Sequence, residues 1–157
     1  MLSKSNIDIR PIQSKRELDD MYYQRWLVLR APLGMDRGSE KDKHDYSAFH
    51  LVAVCEEKII GSARLRQLSA QLGSIAYVAV LSEFRSQGLG TKLIKKLMEQ
   101  AQEKNLKSLR LMARSNTLGF YHRIGFLEKG EPFNFLGIPH IFMYANLPLF
   151  CDNVEDR

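Results

Sequence analysis

The chain has 157 residues, 45% hydrophobic and 26% charged, which describes a soluble globular protein long enough to bury one substantial core. Its apolar runs are far short of a membrane span, and "MLSKSNIDIR" lacks the apolar stretch of a secretory signal, so a cytoplasmic protein without a membrane partner is expected. The formal net charge of +5 suits a polyphosphate ligand or an acidic surface; no nucleic-acid-reading motif accompanies it, and nucleic acid is not expected as a partner.

The first segment, "IDIRPI", reads as a short strand ended by Pro11. Ser14 and Glu17 then have the spacing of a capping box, which satisfies two free N–H groups at a helix start. Leu18, Met21, Tyr22, Arg25, Trp26 and Leu29 follow on one helical face, with Trp26 read as a core residue. The segment "APLGMDRGSEKDKHDY" is polar and rich in turn formers. It reads as a long loop, either an ordinary solvated connection or a functional one. Its bases (Arg37, Lys41, Lys43) and acids (Asp36, Glu40, Asp42, Asp45) are mixed and select no ligand.

Two apolar runs, Phe49–Cys55 and Lys58–Leu65, flank a tight turn at Glu56–Glu57 and predict a β-hairpin. "SIAYVAVL" predicts a central strand, apolar almost throughout. A helix from about Gly88 to Lys104 follows, with Leu89, Leu93, Ile94, Leu97, Met98 and Ala101 on one side. "SLRLMA" is a further strand, and Asn116 or Thr117 is placed to cap a short helix ending before Gly125. "FLEKGEPF" and "HIFMYANL" read as two closing strands. The expected architecture is an α/β mixed sheet, arranged as one domain over residues 1–157 with a short tail over about 151–157. Cys55 and Cys151 form no CxxC, and the four histidines show no ligand spacing, so neither a disulfide framework nor a metal is expected.

The stretch "RSQGLG" joins the central strand to the long helix. A glycine-rich turn opening a helix suits an anion, because free N–H groups and the positive end of the helix dipole face it. A Walker A loop needs lysine directly after its last glycine, yet Thr91 follows Gly90. A dinucleotide fingerprint needs a third glycine where Leu93 stands. The pattern that Arg85, Ser86, Gln87, Gly88, Leu89 and Gly90 do fill is Gln/Arg-x-x-Gly-x-Gly/Ala. With "YVAVL" before it and "NTLGFYHRIGF" downstream, the chain resembles the GNAT superfamily of N-acetyltransferases.

That resemblance implies a GNAT-like fold and acetyl-CoA as cosubstrate, with its pyrophosphate on Arg85–Gly90 and Thr91. It implies that Val78, Ala79 and Val80 run beside the thioester, where a backbone N–H polarises the carbonyl. Asn116 matches a position contacting the pantetheine arm, and Tyr121 the acid that protonates the departing thiolate. Phe120 and Phe126 match core anchors, and Gly125 a helix terminator. The expected reaction is direct attack of a primary amine, from a small molecule or a protein, in a ternary complex. The base is less well marked: "AYVAV" has no carboxylate. His140 is the candidate chosen, beside Glu83, His50 and a water chain as alternatives. The competing reading is a CoA-binding sensor without catalysis. An exposed closing strand would also support a homodimer by edge pairing.

Overall fold

In the computed structural model, residues 6–149 are described. The expected tail and Cys151 lie outside them. The elements are β1 (Ile7–Pro11), α1 (Lys15–Leu29), β2 (Phe49–Cys55), β3 (Lys58–Gln67), β4 (Leu72–Val80), α2 (Leu89–Glu103), β5 (Ser108–Arg114), α3 (Leu118–Ile124), β6 (Leu127–Glu128), β7 (Phe133–Phe135) and β8 (Ile138–Asn146). The strands bond in the order β1-β2-β3-β4-β5-β8-β6, with β7 on β8. The β4–β5 ladder is parallel, while β1–β2, β2–β3, β5–β8, β6–β8 and β7–β8 are antiparallel, so the sheet is mixed as expected. Among the described residues no helix is long and apolar enough to cross a membrane.

The chain divides into two compact units, residues 1–66 with 77–97 and residues 67–76 with 98–157. The chain passes from one to the other at the end of β3, between Arg66 and Gln67, within β4, between Ala76 and Tyr77, and within α2, between Leu97 and Met98.

In the first unit, Ser14 caps α1 by accepting from the Glu17 N–H at 3.1 Å. The reciprocal half of the expected capping box is displaced: Glu17 accepts from the Gln13 N–H, not from that of Ser14, while Arg10 grips its carboxylate at 2.6 and 2.9 Å. Met21, Tyr22, Val52 and Ile59 form an apolar cluster, with Ile12, Leu18 and Val54 at its margin. Trp26 is only half-buried, its ring nitrogen donating to the Met35 carbonyl at 2.9 Å. The β2–β3 hairpin turns at Glu56 and Glu57, with φ of 49° and 71°. Such a two-residue turn matches the twist of the flanking strands.

In the second unit, Leu109, Leu111, Phe126, Met143, Ile124 and Ala145 are buried. Gly125 ends α3 at φ 122°, its N–H donating to the Tyr121 and His122 carbonyls. Phe126 is fully buried as expected, whereas Phe120 is half-buried. The structure corrects the two closing strands to three. "FLEKGEPF" is broken by Gly130 and Pro132, leaving a two-residue β6 and the start of β7. β7 and β8 then form a hairpin through Leu136 and Gly137, both at positive φ. A glycine and a proline between two short apolar pieces interrupt a strand ladder, which the apolar pattern alone does not reveal.

Candidate active site

In the first unit, the Leu81 N–H donates to the Ile60 carbonyl at 2.9 Å, tying the end of β4 to β3. A 3-10 turn at Ser82–Phe84 follows, with Phe84 buried. Arg85 then folds back, its Nε donating to the Val80 carbonyl at 3.1 Å. Ser86 and Gly88 both have left-handed backbones, φ 64° and 77°. The loop is thereby wound into a compact turn that delivers the chain into α2. A side chain at Gly88 would meet no atom within 4 Å, so this face of the loop is open. Among the described residues, the N–H groups from Ser86 to Thr91 have no backbone acceptor, and the first helical bond is Lys92 N–H to Gly88 at 3.0 Å. No acid occupies the first turn of α2, and Lys92, Lys95 and Lys96 are exposed on its polar face. This is the electrostatics of an anion cradle. Leu89 is buried and offers only its backbone, whereas Gln87, Gly90 and Thr91 are partly exposed.

Upstream of that loop, β4 pairs with β5 over Leu72–Ser74. Val78 and Val80 are half-buried and Ala79 is buried. The Ala79 carbonyl accepts from Gln24 Nε2 at 3.1 Å, and Gln24 is itself held by Ser62 Oγ at 2.6 Å. Side chains of the same unit thus occupy the Ala79 and Val80 carbonyls.

Tyr77, at the start of this stretch, has φ 56°. The guanidinium carbons of Arg25, Arg64 and Arg30 lie 4.0, 4.8 and 5.6 Å from its ring centroid. Its hydroxyl donates to Asp42 Oδ2 at 3.3 Å. Arg25 is fully buried and donates through Nη1 to the Glu40 carbonyl and to Asp45 Oδ1, at 3.1 and 2.9 Å. Arg64 donates through Nη1 to Asp42 Oδ1 and Asp45 Oδ1, at 2.7 and 3.2 Å. The loop of mixed charge is therefore no solvated connection: Glu40 and Asp45 are buried, and Asp42 joins them in a network centred on Tyr77. Burial, the largest single influence, pushes the Asp42 carboxyl up, but hydrogen bonds from Arg64, the His44 N–H and Tyr77 together with the Arg64 charge outweigh it, and the net shift is downward. Composition concealed this network. Its one legible sign is Arg25, a charged residue on the apolar face of α1.

His50 lies in the same unit, its Nε2 2.7 Å from the Asp45 carbonyl. A carbonyl only accepts, so Nε2 carries the proton. Burial lowers the pKa of this ring and keeps it neutral. Glu83 is exposed in the 3-10 turn.

The second unit holds Asn116, Tyr121 and His140. Asn116 is exposed in a 3-10 turn, Ser115–Thr117, that leads into α3. The expected side-chain cap is absent: Thr117 is the N-cap, but its hydroxyl donates back to the Arg114 carbonyl at 2.8 Å. The Tyr121 ring packs edge-on against Phe120 and Phe126, with centroids at 4.9 and 6.2 Å. Burial pushes its phenol up to about 12, opposed in part by Arg114. It therefore stays a neutral O–H donor throughout the working range. His140 is 6% exposed on β8, opposite Arg114 and Phe133. Its Nδ1 lies 2.8 Å from the Ile138 carbonyl and donates to it, so in the neutral ring the lone pair is on Nε2. Phe133 stacks on its ring at 6.1 Å and Phe135 meets it edge-on at 5.5 Å. Among the described residues no group of His, Cys, Asp or Glu is placed to hold a metal.

Comparison with known proteins shows what this fold is similar to. The N-acetyltransferase YitI of Bacillus subtilis, itself uncharacterised, is 31% identical over 83% of this chain and 92% of its own. The N-acetyltransferase YjcF from the same organism, likewise uncharacterised, is 27% identical over 83% of this chain and 94% of its own. Among solved structures, an acyl-CoA N-acyltransferase from Pseudomonas aeruginosa superposes with a TM-score of 0.78 at 24% identity, covering 92% of this chain and 99% of that one. A GNAT family acetyltransferase from Elizabethkingia anophelis, solved with acetyl-CoA bound, gives 0.71 at 22% identity, covering 92% and 100%. The family profile described as an acetyltransferase (GNAT) domain matches residues 35–147, and the chain belongs to the GNAT acetyltransferase family.

Proposed function

We propose that this protein transfers the acetyl group of acetyl-CoA to a primary amine by direct attack. The observation that carries this reading is the run of unpaired N–H groups from Ser86 to Thr91 beside an open Gly88. A pyrophosphate accepts several such bonds at once, and a helix N-terminus favours its charge. Arg85, whose Nε is bound to the Val80 carbonyl, adds a cation at the edge of the same loop. Acetyl-CoA supplies a thioester, whose acyl carbon an amine can attack.

The chain's own residues account for the remaining work. The Val78–Val80 backbone offers N–H groups to the carbonyl oxygen, and one well-aimed donor of this kind contributes roughly 3 kcal/mol. An alkylammonium has a pKa near about 10 and must lose a proton before it attacks. His140 Nε2 carries the lone pair that accepts it. As the amine nitrogen bonds to the acyl carbon and the carbon–sulfur bond breaks, Tyr121 gives its proton to the leaving sulfur, and the second proton released by the acylated nitrogen restores the phenol. A phenol held at about 12 is protonated at every physiological pH and so available as acid. Asn116, exposed at the mouth of α3, is assigned to the pantetheine arm.

Calorimetry with acetyl-CoA and desulfo-CoA tests the reading, using wild type and Gly88→Trp. Micromolar binding that the folded variant loses supports a cofactor on Arg85–Gly90. A folded wild type that binds neither molecule refutes it.

A further inference from the structure

We propose that Tyr77 is a positioning residue for acetyl transfer. The stacked guanidinium groups of Arg25 and Arg64 hold it in a left-handed backbone conformation that aims the Val78 N–H at the thioester oxygen. The proposal rests on the assignment of Val78–Val80 to the acyl group and adds the device that sets their direction.

Six non-glycine residues have positive φ among the described residues: Glu56, Glu57, Tyr77, Ser86, Asn105 and Leu136. Five lie in turns or loops, and Tyr77 alone lies inside a strand. A bulky residue in this region is disfavoured and persists only where its surroundings over-determine it. A left-handed residue also reverses the pleat, so it decides which way the next peptide group points. That next peptide carries the Val78 N–H.

The surroundings supply the constraint. Arg25 and Arg64 lie over the ring at 4.0 and 4.8 Å, and the hydroxyl is bound to Asp42. Both guanidinium groups are themselves immobilised through Nη1 by Asp45. Arg25 Nε and Nη2 and Arg64 Nε, all buried, have no hydrogen-bond partner among the described residues. An ion pair serving stability alone would be expected to use those donors. Here the guanidinium groups lie over the tyrosine ring instead, as cation–π contact requires.

The test compares residues that differ in tolerance for positive φ. The probe is acetyl-CoA labelled with carbon-13 at the thioester carbonyl, read by difference infrared spectroscopy on the bound form. Wild type is expected to shift the carbonyl band to lower frequency, reporting a hydrogen bond. Tyr77→Phe keeps the stack and the shift. Tyr77→Ala relaxes to negative φ and loses at least about half of it, while Tyr77→Gly, free to adopt positive φ, recovers much of that loss. Arg25→Met follows the alanine variant. Desulfo-CoA affinity stays within about threefold throughout, because the phosphate loop is untouched. If Tyr77→Ala fails to fold, Tyr77→Leu is read in its place. Equal shifts in the alanine (or leucine) and glycine variants overturn the proposal, as does bound acetyl-CoA with an unshifted carbonyl in wild type. A wild type that does not bind acetyl-CoA refutes the acetyltransferase reading instead.

Discussion

Asp45→Asn is the most direct probe of the network beneath Tyr77. Asp45 is 4% exposed and receives Arg25 Nη1 at 2.9 Å, Arg64 Nη1 at 3.2 Å and the Asp42 N–H at 2.8 Å. Among the described residues it is the one carboxylate in ion-pair range of Arg25, whereas Arg64 keeps Asp42. The substitution preserves shape and removes the charge, leaving a fully buried guanidinium without a counter-ion. Removing one partner of such a pair costs about 3–5 kcal/mol. For 157 residues, unfolding entropy of about 2.1 cal/mol/K per residue makes each kcal/mol worth about 3 °C, so Tm should fall by about 9–15 °C. Thermal melts and urea titration both read this. The double variant Arg25→Met/Asp45→Asn should recover at least about 1 kcal/mol relative to the sum of the single changes, since no orphaned charge remains. A loss below about 1 kcal/mol in Asp45→Asn would show that water or relaxation screens the pair, and the reasoning from burial would be wrong.

Tyr121→Phe should lower turnover about a hundredfold or more, with desulfo-CoA affinity nearly unchanged. Because folding raises this phenol from 10 to about 12, its stabilising contribution is full below pH 10 and is lost as pH rises toward 12; ultraviolet titration should show one late tyrosine that the variant lacks. Gly88→Ala meets no steric obstacle but places a side chain at φ 77°; it should cost about 1–2 kcal/mol and weaken desulfo-CoA binding, as followed by melting and calorimetry. Glu17→Gln removes a carboxylate that Arg10 lowers from 4.5 to about 2. That contribution is full above pH 4.5 and disappears as pH falls through about 2, so the stability gap to wild type should stay constant near neutrality and close over that acid window. Being partly open to solvent, the pair should contribute at most about 1 kcal/mol.

The parts of this protein set by local chemistry were legible in its sequence. The Ser14 cap, the Glu56–Glu57 turn, the apolar stripe of α2 and the stop at Gly125 each depend on neighbours within a few positions. The same holds for the compact turn before α2, whose left-handed Ser86 and Gly88 lie two positions apart. The Tyr77 network was hidden for the opposite reason. Its members come from α1, from the loop after it, from β3 and from β4, brought together by pairing across tens of positions. Asp42 and Asp45 resemble any acids in a polar loop until the fold buries one and bonds the other to Tyr77. Composition counted the charges of that loop and found no bias; their positions in space carry the information.

That distinction bears on the base, which the amine must meet before it can attack. The carboxylate attached to β4 is Asp42, through the Tyr77 hydroxyl, but its pKa is lowered, with Arg64 the main lowering influence, so it accepts protons poorly. His50 is neutral, yet its Nε2 donates to the Asp45 carbonyl and its Nδ1 is buried. Glu83 faces solvent just before Arg85. His140 differs from all three: its Nδ1–H is anchored on Ile138, so Nε2 is left as an acceptor in a ring held between Phe133 and Phe135. His140→Gln should therefore lower turnover about a hundredfold with the best acceptor from an amine screen, while leaving desulfo-CoA affinity intact. His50→Gln, measured alongside, should change turnover less than about threefold. If both variants turn over like wild type, the proton leaves through water, and no side chain on these strands is the base.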